Sequence, residues 1–445
     1  MRSLRTSIDQ VHLADSDLAY QLTVVSRDIE ECTLSFSPKS NVDDGESDLK
    51  GMDLFGHLVV QRRKLLDDRE KLISQIRDLP GFENFLRPSS FETLRSAARH
   101  GPVIIINHSK WRSDIVILVH NSFPSLIPTC DNFYVRANEL QDRLVREGHL
   151  DSDEYDYALR SVLEELYDLV GLPVIRRLHE LKVPEQSRVW WCPTSVFCSL
   201  PLHAMGPIPS DQGPVRYFQD LYISSYTPSL SALIESGRPS SQAINKPSIL
   251  LVAYPDDSLY GAWDEVKTVQ AVDTQVTTLI SSRATPTAVL ARLGDHPFAH
   301  IVGHGTLEPG EPFKASFKLH REQRLQLLDI VRSQLPNAEF AFLSACHSAE
   351  LTAGSIADEM LHLSTAMQFC GFRSVIGTMW AMGETDGRDV AKYFYDSVFS
   401  DKAQEEVHYY ERMAEALRDA VQKLRTRKKD RMSLERWVKF VHYGA

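Results

Sequence analysis

A chain of 445 residues, 43% hydrophobic and 24% charged, has enough apolar material for two or three domains with cores of their own. Its formal net charge of −11 argues against nucleic acid or an anionic membrane as the main partner. No stretch approaches the roughly 18 apolar residues of a membrane span, and the start, MRSLRTSIDQ, lacks the apolar run of a signal peptide.

Residues 1–100 read as a helical N-terminal segment. Ile8, Val11, Leu18, Leu22, Val25 and Ile29 approximate one apolar face at helical spacing. SPKSNVDDGESDLKG (37–51) is polar and aperiodic and reads as a mobile loop. A charged helix is expected from about Leu54 to Arg77, stopping before Pro80-Gly81.

From residue 101 the pattern changes. Short apolar runs alternate with amphipathic segments: PVIII (102–106), RVWWC (188–192), LYISS (221–225), SILLVA (248–253), FAHIV (298–302), EFAFLSA (339–345) and RSVIGTMW (373–380). Runs of this length without strict alternation suit strands buried on both faces, and strands alternating with helices imply a mostly parallel sheet covered by helices. The Ser- and Pro-rich stretch ESGRPSSQAINKPS (235–248) is the expected boundary between two α/β halves, 101–245 and 246–400. Residues 401–445 read as a C-terminal helical segment, whose basic run KLRTRKKDR (423–431) suits a solvated face.

Two short runs carry the chemistry. FAHIVGHGT ends an apolar strand at Gly303 and presents His304, and EFAFLSACHSAE ends another and presents Cys346. In open parallel sheets ligands bind beyond the carboxyl ends of strands, where loops converge without disturbing the core. The chain between the two residues is long enough for a crossover that makes their strands neighbours. A free thiol is only a few per cent thiolate at neutral pH, and a nearby imidazole can take its proton and later protonate a leaving amine. The N–H groups of Gly305 and Cys346 could bind the oxyanion of a tetrahedral intermediate. His347 is the rival base, although adjacent residues of an extended segment point to opposite sides. Downstream, Ser355 and Asp358 stand at capping spacing before a helix that Gly371 ends, and strand, helix and strand over 339–380 make one βαβ unit.

The six cysteines, Cys32, Cys130, Cys192, Cys198, Cys346 and Cys370, are sparse and mostly within apolar segments, which suits a reducing cytoplasmic compartment. Cys192 and Cys198 do not make a CxxC motif, so neither a metal nor an organic cofactor is expected.

These residues resemble the CHAT family, relatives of separases and caspases, and most of all the CHAT domains common in filamentous fungi. The resemblance runs from about Pro80 to Phe399 through PGFENFLRP (80–88), GPVIIINHSKWRSDIVIL (101–118), RVWWCPTSVFCSLPLHAMG (188–206), SSYTPSLSAL (224–233), HIVGHGT (300–306), FAFLSACHSAE (340–350) and GFRSVIGTMWAMGETDG (371–387). It implies a caspase-like α/β fold, with His304 as base and Cys346 as nucleophile of a cysteine endopeptidase acting on protein substrates. It also implies that the first half is a pseudo-protease layer, in which His108 follows a strand much as His304 does. Such domains often follow tetratricopeptide repeats, of which at most a remnant fits in the first hundred residues, a place for a regulatory protein partner. Whether the chain stands alone or ends a longer protein stays open.

Two departures touch the substrate cleft: His347-Ser348 stands where the family commonly has Gln-Thr, and Glu384 where it commonly has Asp. The loop WAMGETDG (380–387) holds Glu384 and Asp386 and no base before Arg388, so an acidic pocket for Arg or Lys before the scissile bond is expected, with Glu384 ahead of Asp386. Asp386 could equally open the following helix. A catalytically silent CHAT-type binding module, or another acyl-transfer hydrolase on the same dyad, are the alternative readings.

Overall fold

The computed structural model describes residues 11–34, 48–83, 85–147, 152–208, 215–238, 247–255, 259, 261–306, 315–333, 335, 337–346, 363–380, 386–399, 409–426 and 433–445. The chain divides into two compact units, Met1–Ser90 and Phe91–Ala445.

The first unit holds helices α1 (Ser16–Leu34) and α2 (Asp48–Arg77). Asp15 starts α1, its carboxylate accepting the Asp17 and Leu18 N–H groups at 3.1 and 3.0 Å, the usual way to satisfy donors that a first turn leaves open. Val11, Ala19 and Leu22 pack with Leu72, Ile73, Ile76 and Phe85, the intramolecular seam the helical spacing anticipates. The second helix starts six residues earlier than expected, at Asp48, inside the stretch read as loop. Ile8 and the rest of that polar stretch lie outside the described residues, apart from 48–51.

The second unit is built on a single sheet. Its strands are β1 (Val103–Asn107), β2 (Asp114–Leu118), β3 (Ser125–Pro128), β4 (Arg188–Pro193), β5 (Ile223–Tyr226), β6 (Ile249–Ala253), β7 (Val276–Ile280), β8 (Phe298–Thr306), β9 (Ser316–Lys318), β10 (Arg324–Gln326), β11 (Phe340–Cys346), β12 (Ser374–Thr378) and β13 (Phe440–Gly444). All the predicted apolar runs form strands at or within a few residues of the expected positions. Across the sheet the order is β7-β6-β8-β11-β12-β13-β5-β4-β1-β2-β3, and the β9-β10 hairpin pairs with the end of β8. Neighbours in β7-β6-β8-β11-β12 are parallel, as are those in β13-β5-β4-β1. Because β12 meets β13 antiparallel, these two parallel sets run in opposite directions.

The expected halves are thus two sides of one sheet, joined at β13. The end of the chain was expected to be helical. It has helices at Tyr409–Thr426 and Glu435–Val438, but its last stretch, Phe-Val-His-Tyr-Gly, is a wholly buried strand between β12 and β5. Five aromatic, β-branched and small residues are too few for a stable helix turn and suit a strand with neighbours on both sides. Gly444 is required there: its φ is +96°, and a Cβ would stand 2.1 Å from the Arg373 carbonyl oxygen.

Helices cover both faces. Along β8, Ala299 and Ile301 belong to one core with Ala341 and Leu343 of β11, whereas Phe298 and Val302 belong to the other with Phe340 and Phe342. That second face is roofed by α3 (Ala262–Gln270), α4 (Asp386–Val398) and α5 (Tyr409–Thr426) through Val266, Val269, Phe394, Tyr395, Met413 and Leu417. Each fully buried Leu or Phe contributes roughly 1.5–3 kcal/mol of transfer free energy, so this two-sided burial is the main stabilising term of the unit.

Two buried histidines stitch β13 and its approach to the first half. His442 contacts Ser374 Oγ at 2.6 Å and Ser225 Oγ at 3.0 Å, and Arg188 Nη2 approaches its Nδ1 at 3.4 Å. A guanidinium can only donate, so Nδ1 is the acceptor and the ring is neutral. Burial, then the Arg188 charge, press its pKa well below 6.5. His203 donates to the Val438 carbonyl at 2.8 Å and lies 2.9 Å from the Tyr226 hydroxyl, and burial lowers its pKa to about 4.

Both histidines bind protons less readily folded than unfolded. Their contribution is therefore complete above about pH 6.5 and is lost as pH falls toward the folded values, at up to about 1.4 kcal/mol per pH unit for each. Thermal denaturation followed from pH 7.5 to 4.5 should show a falling midpoint that flattens in His442→Gln. An unchanged slope in that variant would remove His442 from the linkage.

Candidate active site

Parallel pairing of β8 with β11 is continuous from Phe340 opposite Phe298 to Cys346 opposite His304. Partners at one level of a parallel pair occupy the same face, and neighbouring strands lie roughly 4.8 Å apart. The two residues that strand-end chemistry singled out therefore occupy adjacent positions on one face. It is the face of Val302 and Phe342, under α3 and α4.

Both strands run further than the apolar pattern suggested. The expected end of β8 was Gly303, but it continues through a half-buried His304 to Thr306. It can do so because β6 stops pairing at Val302 and β9 takes over, with Gly305 opposite Phe317 and Thr306 opposite Ser316. Thr306 Oγ1 also lies 2.8 Å from Ser316 Oγ. Thus Gly305, the expected oxyanion donor, is a strand residue beside a hairpin. Cys346 is the last residue of β11. His347, Ser355 and Asp358 lie outside the described residues, and the helix they precede is described over Leu363–Cys370.

The acidic residues of the following loop differ in standing. Glu384 lies outside the described residues. Asp386 is the first residue of α4 and only 3% exposed. Its carboxylate is 2.7 Å from Arg436 Nε and 3.3 Å from Lys439 Nζ, so two cations from the end of the chain answer its charge. Neither partner was visible in the sequence, because some fifty residues separate them from Asp386. Trp380 follows β12. Its indole N–H is buried with no hydrogen-bond partner among the described residues.

The first half provides a comparison within the chain. His108 follows β1, is buried, stacks on Tyr134 at 4.6 Å between ring centroids and puts Nε2 3.3 Å from the Tyr134 carbonyl oxygen. The β1–β4 register ends at Ile106 opposite Pro193, and Ser195 beyond it opens a short 3-10 turn rather than continuing the strand. Cys192 lies within β4, opposite Ile105, and burial raises its thiol pKa to about 12. Such a thiol stays protonated and unreactive at neutral pH.

A cavity of about 390 Å³ lies elsewhere, against Arg188, Trp190, Leu233 and Tyr410, and contains neither His304 nor Cys346 among its lining residues. Strand-end geometry identifies the candidate site. Among the described residues no group of three or more His, Cys, Asp or Glu side chains could hold a metal ion. No described helix is long and apolar enough to cross a membrane.

Among solved structures the chain is similar to the Saccharomyces cerevisiae separase–securin complex, at 14% identity and a TM-score of 0.41, over 95% of this chain and 27% of that one. It is also similar to the Arg-specific cysteine proteinase gingipain R, at 10% identity and a TM-score of 0.39, over 69% of this chain and 73% of that one. A third similar structure is the complex of RgpB pro- and mature domains from Porphyromonas gingivalis, at 9% identity and a TM-score of 0.36, over 71% and 77%. This chain spans about a quarter of the length of the separase chain. A search of curated proteins finds no match. The model of the CHAT domain matches residues 160–445, well over half of the sequence, and the chain belongs to the CHAT domain family.

Proposed function

We propose that this chain is a cysteine endopeptidase with Cys346 as nucleophile and His304 as general base and acid. The observation that carries the reading is the register of Cys346 opposite His304 at the ends of two parallel strands. His304 takes the thiol proton, and the thiolate attacks the scissile carbonyl carbon. The N–H groups of Gly305 and Cys346 serve the resulting oxyanion. The C–N bond then breaks as the imidazolium protonates the leaving amine, leaving a thioester on Cys346. Water, deprotonated by His304, hydrolyses the thioester and restores the thiol. The dyad supplies nucleophile, base and acid, so the reaction calls for no metal or organic cofactor.

Specificity for Arg or Lys before the scissile bond is assigned to Glu384. Asp386 is the weaker choice, since its carboxylate is bound by Arg436 and Lys439. The compact unit Met1–Ser90 supports a role for the N-terminal helices in binding a regulatory protein partner. A reducing, cytoplasmic setting suits a catalytic thiol.

Cys346→Ala should abolish turnover of a fluorogenic peptide panel with an unchanged circular dichroism spectrum, its stability within about 1–2 kcal/mol of the parent. His304→Ala should be nearly as damaging, and the double variant no worse than either, because residues acting as a unit lose activity non-additively. Full turnover by folded Cys346→Ala would end the assignment. So would activity in His304→Ala combined with inactivity in His347→Ala, which would make His347 the base.

Peptides differing only in the residue before the scissile bond should be cleaved after Arg or Lys, and Glu384→Ala should lose that preference. Preference for Asp or an apolar residue would sink the acidic pocket. Asp386→Asn should keep the preference but lower stability by about 3 kcal/mol, because Lys439 and Arg436 lose a buried counter-charge. Denaturant titration reads that loss, and wild-type stability would contradict the structural role.

A further inference from the structure

The polar groups beneath the strand ends form a connected set that neither composition nor spacing announced. Glu265 lies on α3 and is 3% exposed. One of its carboxylate oxygens accepts the Ser344 hydroxyl at 2.8 Å, and the other lies 3.0 Å from His300 Nε2. His300 is fully buried, stacks on Phe342 at 4.7 Å and places Nδ1 2.9 Å from the Tyr395 hydroxyl of α4. Burial, reinforced by Glu265, holds the Tyr395 phenol pKa well above 10, so that hydroxyl keeps its proton.

The place of this set matters more than its existence. Ser344 is two residues before Cys346 on β11, and His300 four before His304 on β8. With a period of two, all four positions are on one face. A single carboxylate from the covering helix thus binds both strands of the candidate pair, on the pair's own face and directly below its level. Burying a carboxylate costs several kcal/mol of desolvation, and a packed apolar side chain would stabilise such a place as well or better. The apolar contacts on this face, Phe298 and Val302 against Phe340 and Phe342, are non-directional. Two carboxylate oxygens bonded to groups on different strands are directional and add a geometric constraint at this point.

We propose that Glu265 is a positioning residue for the His304–Cys346 pair, fixing β8 and β11 from the covering helix so that His304 and Cys346 stay at one level. The inference rests on the peptidase reading given above. Glu265→Gln retains the shape but presents an NH2 group to either the imidazole or the hydroxyl, which reverses the sense of one hydrogen bond. A misplacement near 1 Å can cost on the order of 100-fold in rate, so kcat should fall about 10- to 100-fold with KM within about threefold of the parent. Ser344→Ala, which removes one of the two clamped groups, should lose several-fold, and the two changes together should be less than additive.

Two readouts on the full chain test this, peptide turnover and the rate of Cys346 alkylation by iodoacetamide followed by peptide mass mapping. The exposed Cys130 is the internal control. The expected result is slower alkylation of Cys346 in Glu265→Gln, with the Cys130 rate unchanged and a cooperative thermal transition retained. If Glu265→Gln does not fold, Ser344→Ala and Tyr395→Phe carry the same test. Parental kcat and parental Cys346 alkylation in a folded clamp variant overturn the inference, even while Cys346→Ala is inactive. Activity that survives in Cys346→Ala would overturn the peptidase assignment instead, whatever the clamp variants do.

Discussion

The pairing of β8 with β11 is the constraint on which the rest of the second unit depends. Seven consecutive levels are paired in parallel, from Phe298 and Phe340 to His304 and Cys346. A parallel pair needs a crossover, and the intervening hairpin and helical turn, residues 316–332, return the chain to start β11 beside the start of β8. Once this register is set, alternation decides the faces. Ala and Leu turn to one core and aromatic rings to the other, and the strand ends bring a histidine and a cysteine to one level.

The site is supported from below by polar contacts and from the side by the C-terminal strand. Glu265, His300, Ser344 and Tyr395 are hydrogen-bonded in a chain in a place otherwise filled by Phe342, Phe394 and Val302. At the other flank β13 closes the gap between the two parallel sets. The buried Lys439, next to it in sequence, reaches back to Asp386 at the start of α4. Removing the end of the chain would therefore open the sheet at its middle and leave a buried carboxylate unanswered. The helix that covers this face of the sheet is anchored by residues from the last tenth of the chain.

The two sides of the sheet share a plan and differ in chemistry. Both have a histidine after or at the end of a strand, with a parallel neighbour beside it. His108 is packed between aromatic rings, and the thiol of the neighbouring strand, Cys192, is buried and held protonated. His304 is half-exposed with a cysteine at its level.

Much of this was legible in the linear chain because the signals are local. Seven apolar runs announced seven strands, since a strand buried on both faces must be apolar along its length. His304 and Cys346 stood out because small residues and a histidine or cysteine follow such runs. The chain alone did not decide where β8 ends, because the backbone beyond Gly303 stays extended only when β9 comes to pair with it. It did not announce β13, whose five residues gain their stability from β12 and β5, far away in sequence. It could not distinguish Asp386 as an ion-paired helix residue, because Arg436 and Lys439 reach it only after the sheet has formed. Glu265 read as one more acid on an amphipathic helix, and only the docking of that helix over β8 and β11 gives it His300 and Ser344 as partners. Local patterning determined which segments become strands and which residues could do chemistry. Non-local pairing, set by hydrogen bonds and burial across the folded unit, determined which of them meet.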